Sequence, residues 1–133
     1  MYKRQIFDTQ TYVQPNIPLP NQIVNLLNKE DIYAVVKMLK NTITQDNKPD
    51  ERVLGRLGYT MQNNGKIEDA IEIYKINLEL YPKSTNTLYV LGEAYLSEKN
   101  YEQAREIYSQ FLKVKPTSEY ASEKLKIIDK ELE

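Results

Sequence analysis

From Asn21 onward, apolar residues return every three or four positions, the spacing that puts one face of a helix in a core. Ile23, Leu26 and Leu27 predict a short helix over 22–28, capped by Asn21. Ile32, Val35, Val36, Leu39 and Ile43 predict a second over 30–44, with Glu30 and Asp31 at the positive end of its dipole. The later pattern predicts helices over 51–63, 67–80, 85–98, 101–114 and 118–132. In the last of these, Ala121, Leu125, Ile128 and Leu132 form the apolar stripe, and Glu119, Glu123, Lys126, Lys130 and Glu131 are left outside. Polar turns and prolines separate the segments, and Pro82 and Pro116 each end a unit because a helix cannot easily pass through proline.

The pattern repeats. Residues 51–84 laid on 85–118 give 11 identities in 34 positions: Leu54/Leu88, Leu57/Leu91, Gly58/Gly92, Glu68/Glu102, Ala70/Ala104, Glu72/Glu106, Ile73/Ile107, Tyr74/Tyr108, Leu78/Leu112, Pro82/Pro116 and Ser84/Ser118. Asp50, Ser84 and Ser118 recur at the same interval and are expected to cap the first helix of each unit. Asn100, with Gln103 three residues on, has the form of a capping box, and Gly65 suits a tight turn. Gly58 and Gly92 lie mid-helix, where glycine costs about 1 kcal/mol relative to alanine. A close helix crossing would justify that cost, with Ala70 and Ala104 expected as the facing small residues.

Composition narrows the functional classes. The chain has 133 residues, 41% apolar and 28% charged, with net charge −1, as expected of one ordinary globular domain. Clustered basic residues for a polyanion are missing. There is no Cys and no His, which removes disulfides, thiolate chemistry, the commonest general base and the commonest transition-metal ligand. Gln45 to Pro49 is polar, and its Asp46 could suggest a calcium loop, but it lacks the glycine and distal glutamate of one, so it reads as a solvated turn. No cofactor or metal is expected. No apolar run is long enough for a membrane helix or a signal-peptide core, and the compartment is left open.

Residues 1–20 carry Pro15, Pro18 and Pro20 and read as extended linker. Met1-Tyr2-Lys3-Arg4-Gln5 looks like a translated sequencing adapter, of the kind found on genes taken from metagenomic fragments, so the native protein is expected to continue upstream. The alternative is a genuine disordered N-terminus.

The thirty-four-residue unit, with Leu54-x-x-Leu57-Gly58, Ala70-x-x-x-Tyr74 and Pro82 and their second copies, resembles the tetratricopeptide repeat. That resemblance implies an all-α, right-handed helical solenoid of antiparallel helix pairs spanning 21–133. Within it, 21–45 is a degenerate N-terminal hairpin, 51–84 and 85–118 are two full repeats, and 118–132 is a C-terminal capping helix. Such arrays bind a peptide or partner segment in the concave groove lined by their first helices. Carried onto this chain, the groove residues are Arg52, Gly55, Tyr59, Gln62 and Asn63, then Asn86, Tyr89, Glu93, Leu96 and Ser97, then Tyr120, Glu123 and Ile127. Tyr74, Tyr95, Tyr101 and Tyr108 are assigned to the core, whereas Tyr59 and Tyr89 fit a surface or packing role as well as a binding one. The Lys, Asn and Arg clamp by which one subset grips a C-terminal carboxylate is replaced here by Gly55, Tyr59 and Val90, so that ligand is not expected.

A second resemblance is to the C-terminal repeat tails of bacterial serine hydrolases of the β-lactamase-related and α/β-hydrolase types. It rests on the run Asn77 to Ser84, on Leu91-Gly92-Glu93-Ala94-Tyr95, on Leu57-Gly58-Tyr59 with Gly65-Lys66 and Ala70-Ile71, and on the junction Pro15 to Pro20. It implies an accessory, stabilising domain whose catalytic partner lies upstream. Solenoids generally need about three repeats, a number this chain reaches narrowly. The chain itself holds no Ser-x-x-Lys or Gly-x-Ser-x-Gly motif, so it is expected to be no enzyme.

Overall fold

The computed structural model describes Met38, Leu39, Asn41 and residues 48–133. The expected linker and most of the first hairpin lie outside the described residues. Met38, Leu39 and Asn41 are helical, and Leu39 is fully buried. Five further helices follow: α1 (Glu51–Asn63), α2 (Ile67–Leu80), α3 (Thr85–Ser97), α4 (Tyr101–Val114) and α5 (Glu119–Glu131). Each packs on its neighbours in the chain, most extensively α1 on α2 and α3 on α4. No strand occurs among the described residues.

The starts of the helices follow the expected chemistry, with one exception. Asp50, Ser84 and Ser118 accept from the backbone N–H of Arg52, Thr87 and Ala121. Asn100 makes no side-chain cap bond, so the expected capping box at α4 does not form; α2, which begins after Lys66, lacks one too. Each of these two helices starts directly after the Schellman motif that closes the helix before it. Lys66 N–H donates to Met61 O and Gly65 N–H to Gln62 O; thirty-four residues on, Asn100 N–H donates to Tyr95 O and Lys99 N–H to Leu96 O. The left-handed position of this motif is held by Gly65 (φ 80°) in the first case and by Lys99 (φ 59°) in the second. A lysine carries a steric cost there that glycine avoids.

One core runs through the helices. Leu54, Leu57, Ile73 and Tyr74 fill the first pair, Leu88, Leu91, Ile107 and Tyr108 the second, and Ala121 and Ile128 seat α5. Each of the two mid-helix glycines receives a tyrosine ring from the partner helix. A Cβ on Gly58 would run into the Tyr74 ring, and one on Gly92 would lie 2.7 Å from Tyr108 Cζ. Ala70 and Ala104 are fully buried. Glycine therefore lets a tyrosine ring close on the backbone of the partner helix. Each such ring removes roughly 150–250 Å² from water, an upper figure of about 4–6 kcal/mol at ~25 cal/mol/Å².

Candidate functional site

The first helices of the units, α1 and α3, border a depression of about 270 Å³. It brings together the sequence-predicted Arg52, Gly55, Tyr59 and Asn86, and adds Glu51, Arg56, Asn77, Thr87 and Val90. Tyr59 is 58% exposed and Tyr89 47%, large values for aromatic side chains in a packed repeat. Arg52 is exposed and folded back on Asp50, whose carboxyl the guanidinium hydrogen bond draws down to about 2.

Asn77 is the residue that sequence reasoning missed. It comes from α2, is 1% exposed, and lines the depression. Its Nδ2 donates to Glu51 O at 2.9 Å and to Thr87 Oγ1 at 3.2 Å. Beyond Thr87 the network runs through Ser84 Oγ, 3.1 Å away, to Glu51 Oε2 at 2.6 Å from that hydroxyl. Turning the carboxamide over would set Oδ1 against the Glu51 carbonyl, two acceptors face to face, so the orientation is fixed. Oδ1 then has no partner among the described residues. A buried acceptor left this way costs about 1–3 kcal/mol. The repeat comparison could not show it, because Asn77 stands where the second unit has Phe111.

Three other predicted residues meet at the next interface. Tyr120, expected on the open groove, is half-buried. Its ring packs 5.2 Å from Tyr89 and 5.7 Å from both Tyr108 and Phe111, and its hydroxyl lies 3.0 Å from that of Tyr108. Both phenols donate to Glu93 Oε2, and Lys124 Nζ lies 3.3 Å from the same oxygen. Burial works against the charged Glu93, but the bond from Tyr120 and the Lys124 charge prevail and hold its carboxyl below the usual range. Burial, reinforced by the carboxylate, pushes the Tyr120 phenol well up. This cluster is packing between α3, α4 and α5, with only the Tyr89 ring offering a broad outer face.

The rest are scattered. Gln62 is half-buried and accepts from Tyr74 Oη at 2.9 Å; burial pushes that phenol up to about 12. Asn63 is exposed, Ser97 bonds the Ala94 carbonyl, and Glu123 pairs loosely with Lys126 on the outside of α5. Leu96 is half-buried and Ile127 is 50% exposed. A second opening of about 470 Å³ between α2 and α4, bordered by Lys75, Tyr95 and Gln110 among others, contains none of the predicted site residues.

The tetratricopeptide repeat family model matches residues 64–126, from the turn after α1 into α5. Among solved structures, the crystal structure of the Sgt2 TPR domain from Aspergillus fumigatus aligns with a TM-score of 0.56 at 14% identity, over 88% of this chain and 81% of that one. The fold is a tetratricopeptide-like helical repeat. In this tetratricopeptide-like array α1 and α3 are the first helices of two units, and α5 stands where a third would begin. No curated protein matches the sequence. Neither match lends support to the hydrolase-tail resemblance. Among the described residues no helix is long and apolar enough to cross a membrane.

Proposed function

We propose that the chain is a non-catalytic protein–protein interaction module that holds a peptide or partner segment across its first helices. The observation that carries this reading is the pairing of two exposed tyrosines, Tyr59 and Tyr89, on α1 and α3, with a depression opening between those helices. Tyr59 lines that depression, Tyr89 keeps an outer face beyond its contact with Tyr120, and tyrosine offers broad contact area for little lost freedom. Chemistry is not what these residues are arranged for: the Glu51 carboxylate is taken up by the Ser84 hydroxyl that caps α3, Arg52 is folded back on Asp50, and Arg56 faces solvent. The units 51–84 and 85–118, closed by 118–132, supply the scaffold.

The test starts from peptides selected from a displayed random library on the immobilised full chain. The affinity of a selected peptide is then measured for the parent and for a Tyr59→Ala, Tyr89→Ala double variant, with thermal melting as a check on folding. Loss of about thirtyfold or more is expected for two hot-spot rings. Unchanged affinity in a folded double variant rules out the groove.

A further inference from the structure

The two interfaces of the array are built on one plan and finished differently. Between the second unit and α5, the space at the first helices is filled by Tyr89, Phe111 and Tyr120. Thirty-four residues earlier the same three positions hold Gly55, Asn77 and Asn86. Three rings are thus replaced by a hydrogen atom and two amides, and the depression of about 270 Å³ stands where the rings would pack. That volume is below the ~300–1,000 Å³ of small-molecule pockets and suits a single side chain. Asn77 lines it, and the buried Oδ1 of that side chain has no partner among the described residues, an acceptor that only a hydrogen-bond donor can satisfy. Arg56 borders the opening, is exposed, and makes no ion pair among the described residues, which leaves its guanidinium available to lie on a π face.

We propose that this notch takes an aromatic side chain bearing a hydrogen-bond donor, a tyrosine or tryptophan of a partner peptide, which inserts between α1 and α3 and donates to Asn77 Oδ1. The chain itself seats one donor-bearing ring in the equivalent place: Tyr120 packs 5.7 Å from Phe111, the counterpart of Asn77, and its hydroxyl is satisfied by Glu93. The proposal rests on the groove reading for its partner but not for its geometry.

The test uses the full ¹⁵N-labelled chain titrated with N-acetyl-tyrosinamide, N-acetyl-tryptophanamide, N-acetyl-phenylalaninamide and N-acetyl-leucinamide. The tyrosine and tryptophan amides are expected to shift the Asn77 side-chain NH₂ pair and the Gly55 and Val90 amides to saturation. The phenylalanine amide, with no donor, should bind roughly three- to tenfold more weakly, the factor one neutral hydrogen bond supplies. The leucine amide should not saturate. Asn86→Tyr, at an exposed position, and Gly55→Tyr each rebuild one ring of the second interface and should abolish the saturable shifts; the first keeps the test valid if the second fails to fold. Equal binding of the phenylalanine and tyrosine amides, or shifts that persist in the folded variants, overturns the proposal. If selected peptides depend on Tyr59 and Tyr89 while the amides leave Asn77 unmoved, the notch falls and the groove stands. If the amides saturate the notch and no selected peptide depends on those tyrosines, the groove falls and the notch stands.

Discussion

Glycine at position 92 and glycine at position 55 should respond in opposite ways to the same substitution. Both lie inside helices, so alanine gains about 1 kcal/mol of helix propensity at either. At Gly55 the new methyl group meets only Asn77 Nδ2, at 3.9 Å, an ordinary contact. Gly55→Ala is therefore expected to stabilise by about 1 kcal/mol. At Gly92 the methyl would sit 2.7–3.0 Å from three atoms of the Tyr108 ring, which is fully buried and held by its hydroxyl against Tyr120 and Glu93. Overpacking costs about 1–3 kcal/mol. Set against the propensity gain, Gly92→Ala ranges from neutral to about 2 kcal/mol destabilising. Urea denaturation followed by helical circular dichroism measures both variants. The decisive control is a Tyr108→Leu background, where the ring is gone and Gly92→Ala should turn stabilising, with a coupling of about 1–3 kcal/mol. Should Gly92→Ala stabilise the parent as much as Gly55→Ala does, the ring-on-glycine packing is wrong.

Two further outcomes are expected. Burial raises the phenols of Tyr74, Tyr108 and Tyr120, so their protonated forms favour the fold; that contribution is complete below the unfolded value of about 10 and is lost as pH rises through the folded values. An alkaline absorbance titration of the 11 tyrosines should therefore show a late group that ionises together with loss of the helical signal, whereas a single step near pH ~10 with helices intact would refute the burial. Lys99→Gly should stabilise by about 1 kcal/mol, since it relieves a left-handed backbone that Gly65 already accommodates, and a lowered melting temperature would contradict that geometry.

The helices and their serine and aspartate caps can be read from the sequence because they depend on what the two units share. Leu54 and Leu88, Pro82 and Pro116, Ser84 and Ser118 each repeat a local instruction, and local physics carries it out. The candidate site sits where the units differ, and there a repeat comparison has little to say. Asn77 against Phe111 reads as drift in the sequence; only the packed structure shows that its carboxamide links Glu51 to Thr87 and leaves one oxygen over. Spacing alone puts Tyr120 in the groove, because α5 occupies a first-helix position. Its placement among Tyr89, Tyr108 and Phe111 depends on contacts across three helices that no spacing rule encodes. Gln103 suggests a capping box, yet Asn100 is already committed through its backbone to the Schellman closure of α3.

The contrast between the filled and the open interface also sets an order of events. In a repeat array, stability is a sum of each unit's own stability and of the contacts with its neighbours. The ring cluster of Tyr89, Phe111 and Tyr120 ties α3, α4 and α5 together, whereas the junction of α1 and α3 carries an unfilled acceptor. Folding is therefore expected to start at the C-terminal helices and spread toward α1, with fraying running the other way. Amide exchange is then expected to be slowest in α4 and fastest in α1, and a side chain seated beside Asn77 would act as a keystone, joining the late-folding end to the rest.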